Sequence, residues 1–73
     1  MKLTEIKMGE VCRVVGIPGS GPCVQRLMEM GIIPGVAIRL VKTAPLGDPI
    51  EIEVRGYHLA IRKSEAELIE VNI

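Results

Sequence analysis

The chain has 73 residues, and its nine basic side chains are balanced by nine acidic ones, for a formal net charge of zero. That balance argues against nucleic acid as a partner, since affinity there rests on neutralising phosphates with Lys and Arg; one Tyr, with no Trp and no Phe, leaves no platform for stacking bases. No apolar run approaches the ~20 residues that span a bilayer. The opening Met1-Lys2-Leu3-Thr4-Glu5 also lacks the apolar stretch of a signal peptide. A cytoplasmic protein without direct membrane insertion is therefore expected, with Cys12 and Cys23 as reduced thiols.

Size limits the core. A chain of this mass exposes roughly 4,400 Å² folded and about 11,500 Å² unfolded, burying about 60%. One domain over residues 1–73 is expected, with a core of Ile, Val, Leu and Met, because aromatics are nearly absent.

In chain order, Leu3, Ile6 and Met8 lead into a turn at Gly9-Glu10. Val11 to Val15 reads as a strand ended by Gly16. Ile17-Pro18-Gly19-Ser20-Gly21-Pro22 is a loop, in which Ser20 or Gly21 can cap a helix and Pro22 suits its first turn. The helix is predicted from Pro22 to Met30. Its Cys23, Val24, Leu27, Met28 and Met30 cover an arc of about 160°, opposite Gln25, Arg26 and Glu29. Nine residues are too few for an isolated helix in water, so packing must hold it. Gly31 ends it in the left-handed conformation, and Pro34-Gly35 presets a type II turn.

Three alternating runs follow. Val36, Ile38 and Leu40 oppose Ala37, Arg39 and Val41. Ile50, Ile52 and Val54 alternate with Glu51, Glu53 and Arg55. Tyr57, Leu59 and Ile61 alternate with His58, Ala60 and Arg62. Thr43 to Pro49 is a long hairpin loop, and Arg55-Gly56 a tight one. Ser64 with Glu67 suggests a capping box on one helical turn, and Ile69, Val71 and Ile73 a last strand. Five short strands and one short helix after the first of them point to a mainly β chain. A small closed barrel would remove the exposed edges; an SH3-like barrel fits the size, and the spacing alone does not separate it from an OB-like one.

Several segments together carry a family pattern: Arg26-Leu27-Met28-Glu29-Met30-Gly31-Ile32-Ile33-Pro34-Gly35, Thr43 to Pro49, Val54-Arg55-Gly56-Tyr57, and Leu59 to Ala66. In this order and spacing the chain resembles the ferrous-iron-transport protein A family, FeoA, over essentially its whole length. The resemblance implies an SH3-like β-barrel with a helical insertion. It also implies a small cytoplasmic protein that assists FeoB, a membrane ferrous-iron transporter with a cytoplasmic G-protein domain. The same domain type closes some metal-dependent repressors; a start at Met1 without DNA-binding or metal-sensing domains favours the stand-alone transport role.

The helix face and the long loop are the candidate partner-binding surface. Met28 and Met30, with Pro45 and Leu46, can frame an apolar groove, and Tyr57 joins this set. Methionine adapts to partner surfaces, and exposed apolar patches mark interaction sites. Leu27 belongs in the core, while Met28 and Met30 are divided between core and surface. Leu46, between Pro45 and Gly47 at a loop tip, is hard to bury and also allows a homodimer.

Cys12, Cys23 and His58 are the only soft ligand types, and iron transport makes them candidates for a divalent transition metal such as Fe or Zn. Their spacing forms no motif. Each cysteine also reads as a small buried residue and His58 as exposed, so no metal ligand is assigned. Arg26 invites an arginine-finger reading toward a GTPase, against a solvated charge pairing loosely with Glu29. Asp48, Glu51 and Glu53 stand beside no nucleophile–base pair, so no enzymatic activity is expected.

The function expected is that of an accessory of bacterial or archaeal ferrous iron uptake, binding and modulating the FeoB-type transporter through the helix and loop. The alternatives are a metal-binding carrier or sensor using Cys12, Cys23 and His58, or a GTPase-activating factor acting through Arg26. A reader of proline-rich peptides is disfavoured, because such grooves are lined with aromatics and only Tyr57 is available.

Overall fold

The computed structural model describes residues 1–73 throughout. The β-branched alternation produces strands β1 (Val11–Gly16), β2 (Ala37–Thr43), β3 (Ile50–Val54), β4 (Tyr57–Ile61) and β5 (Glu70–Asn72). Helix α1 spans Pro22–Glu29, a single-turn helix α2 spans Lys63–Ala66, and a 3₁₀ turn covers Leu3–Glu5. The strands form one antiparallel sheet in the order β4-β3-β2-β1-β5.

Alternation sorts the sheet into two faces. Ile38, Leu40, Ile50, Ile52, Val54 and Ile61 are buried, while Arg39, Arg55 and His58 are exposed. The buried face joins Cys12, Val14, Val24, Leu27, Ile32, Ala66, Ile69 and Val71 in one continuous apolar cluster. Accessible surface is 4368 Å², close to the value that chain mass alone anticipates. No helix is long and apolar enough to cross a membrane.

One irregularity moves a charge. β2 and β3 pair Leu40 with Ile52, but then Lys42 with Glu51, so Val41 is an extra residue on β2. Such a bulge resets which face the next side chain takes. Strict alternation would turn Lys42 inward; the bulge sends it out, where its Nζ lies 3.9 Å from Glu51 Oε1.

The local punctuation follows the sequence closely. Pro22 takes the first position of α1 behind Gly21, and Gly31, at φ +97°, ends it. The Val36 N–H donates to Ile33 O at 3.2 Å across Pro34-Gly35, with Gly35 at φ +92°, as a type II turn requires. Arg55 and Gly56 both have positive φ, the two-residue hairpin geometry that matches strand twist. The cap of α2 differs from expectation. Arg62, rather than Ser64, is its N-cap, and the Arg62 N–H donates to Glu65 Oε1 at 2.9 Å. The short helix begins directly after β4, so the capping acid falls at Glu65 and not at Glu67.

The sheet does not close on itself. β5 and β4 are not paired. The outer side of β5 is occupied instead by the chain's first residues: Lys2 bridges Glu70, and Val71 N–H donates to Met1 O at 2.8 Å. Leu3 N–H donates to Ile69 O at 3.0 Å. A three-residue last strand is thus covered by backbone from the other end of the chain. β4 keeps a free edge.

Candidate functional site

Two regions carry the candidate residues: the flank where α1 meets the β4–α2 corner, and the tip of the β2–β3 loop. On the flank, α1 brings Arg26 and Met30 opposite Ala60, Ile61 and Arg62, with Pro49 from the loop, around an open cleft of about 390 Å³. Glu65 stands at its base and is 6% exposed. One carboxylate oxygen caps α2; the other takes the Arg26 guanidinium as an ion pair and lies 3.9 Å from Cys23 Sγ. A buried carboxylate requires a cation and hydrogen bonds, and this one has both.

Arg26 is therefore committed. It does not pair with Glu29 as expected from i,i+3 spacing but ties α1 to α2. The signal for this was present in outline, because an acid at the third position of a helix commonly caps it. Which cation would reach it depended on the tertiary fold.

The predicted partner-binding residues are placed as follows. Leu46 is 96% exposed at the loop tip, beside an exposed Pro45. The loop is closed below them by Gly47 N–H donating to Ala44 O at 2.7 Å and Ala44 N–H donating to Pro49 O at 3.1 Å. Met28 is exposed on α1, whereas Met30 is half-buried and packs against the core. Tyr57 is half-exposed, and its hydroxyl donates to the Met30 carbonyl, fastening the start of β4 to the end of α1. Leu27 is fully buried.

The three soft-ligand candidates are not brought together. Cys12 is buried in β1, where burial, aided by the negative charge of Glu10, pushes its thiol up to about 11. Cys23 is exposed in the first turn of α1, not buried as the sequence suggested, because the helix turns only Val24 and Leu27 into the core; its Sγ lies 3.9 Å from Glu65 Oε2. His58 stands on the outer face of β4, its Nδ1 2.9 Å from Glu51 Oε2 and its Nε2 3.9 Å from Glu53 Oε2. No three His, Cys, Asp or Glu side chains stand close enough to hold a metal ion.

Glu51 and Glu53 belong to a cross-strand charge ladder rather than to acid–base chemistry. Arg39 donates through Nε and Nη2 to Glu53 Oε1 at 3.0 and 2.7 Å. That hydrogen bond, and then the guanidinium charge, hold the Glu53 carboxyl below its ordinary value of 4.5. Glu70 is lowered in the same direction, first by its hydrogen bond to Lys2.

Comparison with known proteins agrees with this architecture. The sequence model of the FeoA domain matches residues 1–73. The Fe(2+) transport protein A/Fe(2+) transporter FeoB fusion protein of Porphyromonas gingivalis is 34% identical over 73 residues, which is all of this chain and 9% of that protein. The chain thus spans about a tenth of that relative. The solution structure of the FeoA protein from Chlorobium tepidum superposes with a TM-score of 0.92 at 40% identity, covering 100% of this chain and 70% of that one. The zinc-complexed Stenotrophomonas maltophilia FeoA, described as an SH3 domain protein, superposes with a TM-score of 0.87 at 28% identity, over 99% of this chain and 89% of that one. The mainly β, SH3-like fold expected from the sequence is thereby borne out, with an open hydrogen-bond ladder. With the family model matched from the first residue to the last, the chain belongs to the FeoA domain family.

Proposed function

We propose that this protein is a non-enzymatic, cytoplasmic accessory of ferrous iron uptake that docks on the cytoplasmic part of an FeoB-type transporter. The observation that carries the reading is Leu46. A leucine 96% exposed at a loop tip gains about 1.5–3 kcal/mol when a partner covers it, and the loop below it is held by its own backbone bonds. Met28, exposed on α1, supplies a second adaptable apolar contact. The P. gingivalis relative supports the choice of partner, since there the similar segment and the transporter are one polypeptide. A covalent tether gives two modules a high effective concentration for each other; a separate chain needs its own contact surface.

The test is a pull-down of purified transporter with the native chain, Leu46→Glu and Met28→Glu, with and without guanine nucleotide. Binding by the native chain and its loss in Leu46→Glu support the reading. Nucleotide dependence identifies the G-domain as the target. Equal binding by all three chains removes this surface.

The metal-carrier reading has less support, since Cys12, Cys23 and His58 lie on different elements and do not form a donor set. The GTPase-activating reading is weakened by the commitment of Arg26 to Glu65.

A further inference from the structure

The two edges of the sheet are treated differently. The edge at β5 is covered by the chain's own first residues. The edge at β4 is not hydrogen-bonded to any strand. In the β3–β4 hairpin the two-residue turn at Arg55-Gly56 makes Val54 and Tyr57 a hydrogen-bonded pair. Ile52 with Leu59 and Ile50 with Ile61 follow at every second position. His58 and Ala60, between them, direct one N–H and one C=O each toward the open edge. Neither Pro nor Lys, the residues that usually blunt an edge, interrupts β4.

This edge does not face bare solvent. α1 runs alongside it. Its first turn meets Glu65, just past the end of β4, through Cys23 Sγ at 3.9 Å. Arg26 in its last turn pairs with the same carboxylate, and the Met30 carbonyl at its end accepts from Tyr57, at the start of β4. The 390 Å³ cleft lies between them, with Arg26 and Met30 on one wall and Ala60, Ile61 and Arg62 on the other. Of the ionic groups along it, Arg26 is paired with Glu65, and Asp48 accepts the Lys63 N–H at 2.9 Å. Arg62 has no ion-pair partner.

We propose that the slot between α1 and the free edge of β4 binds one extended segment of another polypeptide as a sixth strand, with an acidic side chain of that segment on Arg62. The outward N–H and C=O groups of His58 and Ala60 hydrogen-bond its backbone, the general basis of recognition by strand addition. Met30, half-buried, and the exposed Ala60 offer it an apolar wall. A second copy of this chain pairing β4 to β4 is disfavoured, because α1 flanks the edge on each copy. This surface is separate from the Leu46 loop tip and does not depend on it.

A random decapeptide library displayed on phage, selected against the full chain, tests the proposal, followed by amide NMR with the enriched peptide. The expected peptides alternate β-branched residues with Asp or Glu, shift the His58 and Ala60 amides, and slow their exchange. Ala60→Pro removes one outward donor and leaves the β3 ladder intact, since proline is tolerated at a strand edge; it should weaken binding at least tenfold. Arg62→Glu should weaken it similarly and favour basic peptides on reselection, while Leu46→Glu leaves it unchanged. Enrichment of no peptide, perturbation of other amides with His58 and Ala60 unmoved, or undiminished binding to Arg62→Glu would each overturn it.

Discussion

The Tyr57 hydroxyl stands 2.8 Å from the point a Cβ on Gly31 would occupy. Gly31 sits at φ +97°, so two requirements meet at one residue: a left-handed helix stop, and room for the phenol that bonds the preceding carbonyl. Gly31→Ala should destabilise the fold by about 2 kcal/mol, of which about 1–2 is the backbone conformation. Tyr57→Phe should lose about 1 kcal/mol with its hydrogen bond. The double variant should be more stable than the sum of the two losses, by at least about 0.5 kcal/mol, because the clash is shared. Urea unfolding of the four proteins measures this, and strict additivity would show that the phenol and the glycine are independent.

Glu65 and Arg26 contribute unequally to the tie between α1 and α2. Glu65→Ala removes a helix cap and an ion-pair partner from a buried position, with an expected loss of about 2–3 kcal/mol. Arg26 has a mostly exposed side chain, so solvent offsets part of its charge; Arg26→Ala should lose less, about 1 kcal/mol. Glu65→Gln keeps an acceptor for the Arg62 N–H and should fall between them. Thermal unfolding ranks the three, and Arg26→Ala proving the worst would mean that leaving the buried Glu65 carboxylate unpaired costs more than losing the cap.

Acid should weaken the fold through Glu53 and Glu70. Both carboxyls are held below their ordinary value of 4.5 when folded. The unfolded chain therefore takes up protons first as pH falls. Their contribution is fully present above about pH 5 and is lost as pH drops through the lowered folded values. Urea unfolding between about pH 6 and pH 3 should show stability falling in the native protein and a flatter profile in Glu53→Gln/Glu70→Gln. Identical profiles would remove these two groups as the cause.

The two thiols should separate kinetically. Cys23 is exposed and Cys12 is buried with its thiol raised from 9.0 to about 11. At pH 8 a disulfide reagent should modify Cys23 within minutes and reach Cys12 only on unfolding. Because Cys12 holds its proton more tightly when folded, its contribution to stability should fade as pH rises from 9 toward 11. Equal reaction rates at the two sites would contradict the burial of Cys12.

What the sequence made legible was mostly periodic or punctuated. Ile50, Ile52 and Val54 declare a strand face by alternation alone, and Gly31 and Pro34-Gly35 declare a stop and a turn through φ. The exposure of Leu46 followed from its neighbours Pro45 and Gly47. The features missed depend on contacts between distant segments. Arg26 chose Glu65 across 39 positions rather than Glu29 nearby, because only the fold brings α2 beneath α1. The bulge at Val41 breaks alternation without a Gly or Pro to announce it. Covering of the β5 edge by Met1–Leu3 is a pairing of chain ends, invisible to any local window.

That pairing of ends has a geometric consequence. Met1 and Val71 exchange backbone bonds of 3.2 and 2.8 Å, so entry and exit of the polypeptide form a seam at one place on the surface. Whatever is joined to either end is attached at the same spot, and the domain behaves as a bead on a single stalk rather than a link in a line. A tether there restricts position but leaves orientation free. The covalent origin of the chain is also nearly arbitrary: with the seam joined by a short linker, the backbone becomes a ring that can be opened elsewhere, the Leu46 loop included, with the same sheet order retained.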